Sequence, residues 1–229
     1  MAGEVPIRLV LFDVNETLSD MAPLRRRFEE VGAPPLLFAV WFAGVLRDGF
    51  ALTAAGGYAS FRDIADAGLR GLFSQLQGWT GDAAGAAEYV LDGFAALDVH
   101  PDVPPGVRRL DADGFRLGTL TNGAAALTEQ LLTRAGLREH FAAVLDVSVP
   151  RAWKPAATAY RYATDTLAVS PAEALLVAVH PWDVDGARRA GLQAAWLRRG
   201  VGEYPTVMTP PSLIAADLRD LAHLLHPAG

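Results

Sequence analysis

The sequence predicts an α/β fold, in which a parallel sheet is covered by helices on both faces and a helical region is inserted after the first strand. The run Arg8–Phe12 stops at Asp13 and is typical of a buried parallel strand. Residues Pro23–Leu97 then carry helical patterns and almost no strand pattern, whereas strands and helices alternate after Gly106. That alternation predicts the parallel sheet, which the first strand joins.

Glycines divide the inserted region into four predicted helices, and the third carries an amphipathic stripe at three- and four-residue spacing. The linker His100–Gly106 then leads back to the sheet. The four helices are Pro23–Val31, Pro34–Arg47, Ser60–Gln77 and Ala83–Leu97. The later strands are Phe115–Leu120, Ala143–Val147, Ala174–Val179 and Ala194–Leu197, and the later helices are Val107–Ala112, Ala124–Ala135, Ala156–Leu167, Val184–Ala190 and Ser212–Leu225.

The composition excludes several kinds of site and partner. The 229 residues include no cysteine, which excludes disulfides, thiol catalysis and thiolate metal sites. The five histidines are scattered, which argues against a zinc site. A formal net charge of -6 without a basic patch predicts no nucleic-acid partner.

We expect a cytoplasmic protein without a membrane partner. The segment Met1–Arg8 lacks the basic start and apolar run of a signal peptide. The apolar stretch Pro34–Leu46 is shorter than a membrane span and is followed by Arg47 and Asp48.

Polar residues follow several of the predicted strands. They are Asp13, the pair Thr121-Asn122, Lys154 after a short loop, and the segment His180–Asp183. Because functional groups gather at the carboxyl ends of parallel strands, we expect these four clusters to share one site.

Asp13 is the candidate nucleophile, because a carboxylate directly after a buried strand is held on a rigid support. The hydroxyl of Thr17 is placed to hold that carboxylate. Alternatively, the two residues only cap a turn, and the local pattern fits both interpretations equally.

The other clusters also have structural alternatives. Thr121-Asn122-Gly123 supplies donors for an anion, or forms an ordinary strand-to-helix turn. Lys154 lowers the pKa of a nearby carboxylate and binds a substrate anion, or lies on the surface. Asp183 orients Lys154, positions a water or binds a cation, and His180 is a polar contact or a base. The alternative for both is a helix start, where the helix dipole favours acidic residues.

Taken in order, these clusters resemble the motifs of the haloacid dehalogenase superfamily. The matching residues are Asp13 with Thr17, Thr121, Lys154-Pro155 and Asp183, and the match covers nearly the whole chain. The resemblance implies a Rossmann-like core formed by residues 1–18 and 100–229, and an α-helical cap formed by residues 19–99. It also implies an aspartate nucleophile that attacks carbon or phosphorus.

Two positions distinguish the branches of that superfamily. Phosphatases carry a second aspartate, the general acid, two residues after the nucleophile, and here that residue is Asn15, which cannot deliver a proton. Phosphatases usually also have an acidic partner for Asp183, at the position of Val179. A departing halide needs no proton. The chain is therefore most similar to type II 2-haloacid dehalogenases, which need no metal and often carry an aromatic residue at position 15. Further matches to that branch are Trp182-Asp183, Gly186-Ala187-Arg188, Tyr160 after Lys154-Pro155, and Ser60-Phe61.

The resemblance implies a role for each candidate residue. Asp13 attacks the halogen-bearing carbon with inversion and forms an ester, which a water positioned by Asp183 hydrolyses. Thr17 and Lys154 hold Asp13 and complete the predicted catalytic set. The predicted substrate-binding residues are Asn15, Phe42, Phe61, Thr121, Asn122, Tyr160, His180 and Trp182.

Two of these positions depart from the dehalogenase pattern. The resemblance implies that Asn122 and Phe61 cradle the halide and that Thr121 and Lys154 meet the substrate carboxylate. The cap arginine of that branch is replaced by Phe42, and its motif-four asparagine is replaced by His180. These departures bear on the substrate more than on the covalent mechanism, and a more hydrophobic substrate is an alternative.

Two other functions stay open at this point. One is a Mg²⁺-dependent small-molecule phosphatase with Asp13 and Asp183 as metal ligands. The other is a non-catalytic binding module, against which the retention of all four predicted catalytic residues argues. For a dehalogenase we expect a small-molecule substrate and neither cofactor nor metal. A homodimer fits the resemblance, since relatives often dimerise through the cap.

Overall fold

The computed structural model describes residues 5–200 and 202–226. Part of the segment in which no signal peptide is expected, and three short pieces of the predicted core, lie outside the described residues. The described strands are β1 (Leu9–Phe12), β2 (Arg116–Thr121), β3 (Phe141–Asp146), β4 (Ala174–Ala178), β5 (Gln193–Leu197) and β6 (Leu213–Ala215). The α-helices described are α1 (Pro23–Glu30), α2 (Leu37–Ala54), α3 (Phe61–Gln75), α4 (Ala83–Asp92), α5 (Val103–Ala112), α6 (Ala125–Arg134), α7 (Ala157–Thr166), α8 (Pro181–Arg189) and α9 (Leu218–Leu225).

The six strands form one parallel sheet in the order β3-β2-β1-β4-β5-β6, which confirms the predicted fold class. Strand β1 lies between β2 and β4, and all four of its residues are fully buried. Leu9 and Leu11 belong to one hydrophobic cluster, and Val10 and Phe12 belong to the other. Helices on both faces therefore cover the sheet, and the first strand ends at its centre.

The inserted region is a helical bundle. Helix α1 packs on α2 and α4, and α3 packs on both α2 and α4. Helix α3 begins with a capping box, in which the Ser60 side chain and the Asp63 side chain satisfy each other's backbone N–H groups. An antiparallel bridge pairs Ser19 with Val99, where the chain leaves the sheet and returns to it.

Several predicted boundaries were wrong, and three of the differences have clear physical reasons. Helix α5 begins at Val103, inside the predicted linker, because its two prolines lie in the first turn, where a missing N–H costs no hydrogen bond. Helix α2 continues past Arg47 to Ala54, since the side chains of Arg47 and Asp48 point outward and pair with each other. The segment predicted as one helix, Ser212–Leu225, contains the short strand β6 before α9.

The extended α2 also corrects the expectation that no apolar stretch reaches the length of a membrane span. By length and composition alone, this 18-residue helix is long and apolar enough to cross a membrane. A core helix of a folded domain meets the same criterion. Here α2 buries Phe38, Trp41, Phe42 and Val45 within the bundle.

Candidate active site

The Asp13 carboxylate lies at the carboxyl end of the central strand and is held at both oxygens. Its Oδ2 accepts a hydrogen bond from the Thr17 hydroxyl at 2.7 Å, and its Oδ1 accepts one from Lys154 Nζ at 2.9 Å. The side chain of Asp13 is only 5% exposed. The Thr17 hydroxyl in turn accepts the N–H of Val179, which follows the neighbouring strand β4. The strand ends therefore fix the position and orientation of this carboxylate.

Lys154 connects two carboxylates inside the protein. Its fully buried ammonium lies 2.9 Å from Asp13 Oδ1 and 2.6 Å from Asp183 Oδ2. The backbone of Lys154 is held by the Asn122 side chain, which accepts its N–H at 2.8 Å and donates to its carbonyl at 3.1 Å. Tyr160 donates its hydroxyl to the other oxygen of Asp183 at 2.6 Å. Asn122 thus binds the backbone of Lys154, and Tyr160 binds the carboxylate of Asp183.

His180 lies between two carboxylates. Its Nδ1 is 3.2 Å from Asp13 Oδ2, and its Nε2 is 2.9 Å from Glu16 Oε2. An imidazolium can donate at both nitrogens, whereas a neutral imidazole can donate at only one. Burial acts to lower the pKa of His180, but the hydrogen bonds to Asp13 and Glu16 outweigh burial and raise it to about 9.

Glu16 is the residue of this site that the sequence did not indicate. It adopts a φ of 62°, in the left-handed region that non-glycine residues rarely occupy. Its carbonyl oxygen is also bound by His100 Nε2 at 3.0 Å. The only available signal was an acidic residue within the segment after the first strand, and that signal does not specify a partner.

Burial and neighbouring charges shift the other pKa values of the site. Burial acts to raise the pKa of Asp13, but the charge of Lys154 and the hydrogen bond from His180 hold it well below its ordinary value. Burial raises the pKa of Asp183, and the nearby Asp13 charge adds to this against the effect of Lys154. Burial acts to lower the pKa of Lys154, but the two carboxylates raise it. At neutral pH the nucleophile candidate is therefore an anion beside a cation.

The predicted aromatic residues form a wall around His180. Trp182 stacks on the imidazole with ring centres 5.1 Å apart, and Phe42 lies 6.5 Å from it. Phe42 also contacts Phe61, which stacks on Trp153. This wall places apolar surface next to the charged groups.

The two remaining predicted residues, Asn15 and Thr121, line a cavity beside the charged cluster. Thr121 is buried, and its hydroxyl accepts the N–H of Gly123 at 2.9 Å. The structure thus brings Asp13, Thr17, Lys154, Asp183 and His180 into one hydrogen-bonded cluster. Asn15 and Thr121 have no hydrogen bond to that cluster within the described part of the chain.

The donor set does not fit a divalent cation. The two carboxylates that the phosphatase alternative assigns to Mg²⁺ are both bound to the ammonium of Lys154. Across residues 5–200 and 202–226, no group of three or more acidic or histidine side chains is arranged to hold a metal ion. We therefore derive no step that uses a metal.

Comparisons with known proteins identify related sequences and structures. A family model described as haloacid dehalogenase-like hydrolase matches residues 7–191. The (S)-2-haloacid dehalogenase H-109 of Pseudomonas putida is 25% identical over 222 residues, which cover 96% of this chain and 98% of the relative. The solved structure of the L-2-haloacid dehalogenase RSc1362 is 28% identical, with a TM-score of 0.89, and covers 96% of this chain and 99% of its own.

A third comparison concerns the fold alone. The L-2-haloacid dehalogenase of Xanthobacter autotrophicus, solved with chloropropionic acid covalently bound, is 24% identical with a TM-score of 0.87. It covers 97% of this chain and 100% of its own. Since the family model spans most of the sequence and these relatives align over nearly all of it, the chain belongs to the haloacid dehalogenase-like hydrolases.

Proposed function

We propose that this hydrolase cleaves the carbon–halogen bond of small 2-haloacids through a covalent ester on Asp13. The observation that carries the proposal is the buried, ionised Asp13 carboxylate, which Thr17, Lys154 and His180 hold by hydrogen bonds. The near full-length similarity to (S)-2-haloacid dehalogenases supports the choice of substrate.

The first step forms the ester. An oxygen of Asp13 attacks carbon 2 of the acid and inverts it, while the halide departs with the electron pair of the broken bond. Because the carboxylate is held in place, less entropy is lost in reaching the geometry of attack, which is a large part of what positioning contributes to catalysis. The aromatic wall of Phe42, Phe61 and Trp182 gives the halide a water-poor environment.

The second step hydrolyses the ester. Water attacks the carboxyl carbon of Asp13, one of its protons ends on the 2-hydroxy acid, and the other is released to solvent. Asp183 and Asp13 both accept hydrogen bonds from the ammonium of Lys154. The raised pKa of Asp183 makes it a better proton acceptor than an ordinary carboxylate. We assign to Asp183 the positioning of this water. The bond changes balance without an oxidant, a reductant or a metal.

Two predicted substrate-binding residues instead hold catalytic residues in place. The amide of Asn122 binds the backbone of Lys154, and the hydroxyl of Tyr160 binds Asp183. Both are therefore positioning residues. Thr121 and Asn15 are left to contact the substrate, because they line the cavity.

The test is halide release from 2-chloropropionate in the presence of a chelator. We expect release by the parent protein and none above background by Asp13→Asn, because an amide is a far weaker nucleophile. Asp165→Asn removes an exposed carboxylate from α7 and is the matched control, which should keep the parent rate.

The phosphatase alternative predicts the opposite pattern. Mg²⁺-dependent release of phosphate from p-nitrophenyl phosphate, lost in Asp13→Asn, would contradict the proposal if no chloro-, bromo- or fluoroacid yielded halide.

A further inference from the structure

A cavity of about 300 Å³ lies between the helical bundle and the sheet. Its sheet side is formed by Val14 and Asn15, which follow Asp13 directly, and by Thr121 and Gly123 at the end of β2. This volume is the room of about ten liquid waters. It lies at the lower end of the range for small-molecule sites and exceeds what a two- or three-carbon acid fills.

The deeper wall of the cavity is apolar. Helix α6 contributes Leu127 and Leu131, one turn apart, and the bundle contributes Leu91, Phe94 and Leu97. An apolar group that binds against this wall releases water from both surfaces, which favours binding.

Most of the polar side chains in the wall already have partners. The Asp146 carboxylate accepts the N–H of Ala125 at 2.8 Å, and also the N–H and hydroxyl of Ser148 at 2.9 and 2.5 Å. The Thr128 hydroxyl donates to the Ala124 carbonyl. The side chain of Arg62 is 64% exposed at the rim. The inside of the cavity therefore offers apolar surface to a ligand, with little demand for hydrogen bonds.

Gly123 leaves open the space between Asn15 and Thr121, at the sheet side of the cavity. A Cβ at this position would lie 3.2 Å from Thr121 Oγ1 and 3.5 Å from Asn15 Nδ2. Any larger side chain would fill the space between these two residues.

From these observations we infer that the cavity binds the hydrocarbon tail of the substrate, so that the preferred substrates are medium-chain 2-haloacids with unbranched tails of about four carbons or more. The inference rests on the proposed function, because Asp13 must attack carbon 2 of the same molecule. The tail leaves carbon 2, passes Asn15 and Gly123, and packs on Leu127 and Leu131.

The experiment measures kcat/KM by halide release for the unbranched series from 2-chloropropionate to 2-chlorooctanoate. We expect a rise of about fourfold for each added methylene, until the cavity is full. A flat or falling series would overturn the inference and leave the proposed dehalogenation intact.

A pair of variants on α6 localises the effect. Leu127→Trp fills the cavity and should lower the ratio of kcat/KM for 2-chlorohexanoate over 2-chloropropionate by at least about tenfold, since two to three methylenes lose their site. Gln130→Trp adds the same ring at an exposed position of the same helix and should leave this ratio unchanged. If the ratio of kcat/KM for the two acids were the same in both variants, the tail would not bind in this cavity.

A binding measurement keeps the inference testable if no acid is turned over. Calorimetric titration of the parent with 2-hydroxy acids of three to eight carbons should show Kd falling with chain length, and Leu127→Trp should remove that trend. Circular dichroism and the melting temperature establish that the variant is folded. If Kd is the same for lactate and 2-hydroxyhexanoate, the cavity is not a tail site; if binding depends on length without any halide release, only the proposed reaction fails.

Discussion

At the scale of single residues, the charge balance around Asp13 determines which chemistry is available. Lys154 and His180 supply two positive groups to Asp13, Asp183 and Glu16, which are three carboxylates. A buried carboxylate without such partners would become protonated, and a protonated carboxyl group is a poor nucleophile. These two cations therefore keep the nucleophile ionised.

The contacts of His180 with Asp13 and Glu16 predict that the stability of the protein depends on pH. The histidine titrates near 6.5 in the unfolded chain and at about 9 in the folded protein, so the folded state binds the proton more tightly. The stabilisation is complete below pH 6.5 and is lost as the pH rises to about 9. We expect the free energy of unfolding, measured with urea at several pH values, to fall by roughly 2–3 kcal/mol across this window.

His180→Asn and His223→Asn are the matched variants for this measurement. The first removes the contacts of the imidazole with Asp13 and Glu16 and should lose the pH dependence, whereas the second removes an exposed histidine of α9 and should keep it. Equal slopes for the parent and His180→Asn would contradict the role given to these contacts.

The residues at the strand ends were predictable, because a parallel sheet brings the carboxyl ends of its strands to one edge. Asp13, Lys154 and Asp183 lie together for that reason. Contacts that depend on backbone detail were not predictable. Glu16 contacts His180 from a left-handed backbone conformation, and no residue pattern encodes that conformation.

At the scale of elements, the joint between α2 and the loop before Lys154 links the bundle to the site. Trp153 donates its indole N–H to the Ala59 carbonyl at 3.0 Å, and its backbone N–H to the Thr53 hydroxyl at 3.1 Å. Its ring lies against Gly49, where a Cβ would be only 2.4 Å from ring atoms. The lysine loop is thus packed against a helix of the inserted region.

We expect Gly49→Ala to destabilise the protein by about 1–3 kcal/mol, because the buried Trp153 ring has no free space to move into. Gly44→Ala is the control on the same helix, since a Cβ there meets nothing within 4 Å. It should stabilise by about 0.5–1 kcal/mol through helix propensity. Chemical denaturation of both variants measures the difference, and a neutral or stabilising Gly49→Ala would mean that this joint is loose.

Periodicity located most elements but not all of their ends. Helix α2 runs beyond Arg47 because a helix tolerates charged residues on its exposed side, so a pair of charges is a weak stop signal. Strand β6 has only three residues at the sheet edge, which is too few for an alternation to be visible. Its position depends on pairing with β5, a contact between segments that sequence patterns do not report.

At the scale of the whole molecule, the bundle and one face of the sheet share a hydrophobic cluster. That cluster includes Phe38 and Trp41 of α2, Leu9 of β1, Tyr160 of α7 and Trp153. We therefore expect a single calorimetric unfolding transition, with equal calorimetric and van't Hoff enthalpies. Two resolved transitions would show that the helical region unfolds independently. The insertion of that region after β1 was visible in the sequence, whereas its tight packing on the sheet was not.

The central claim is that the side chain of Asp13 bonds to the substrate and that water then attacks its carboxyl carbon. A single turnover of 2-chloropropionate in heavy-oxygen water, followed by mass measurement of the peptide containing Asp13, tests this directly. The account predicts one heavy oxygen in the Asp13 carboxylate and none in the new hydroxyl group of the product. Heavy oxygen in the product hydroxyl, with an unlabelled Asp13, would contradict it.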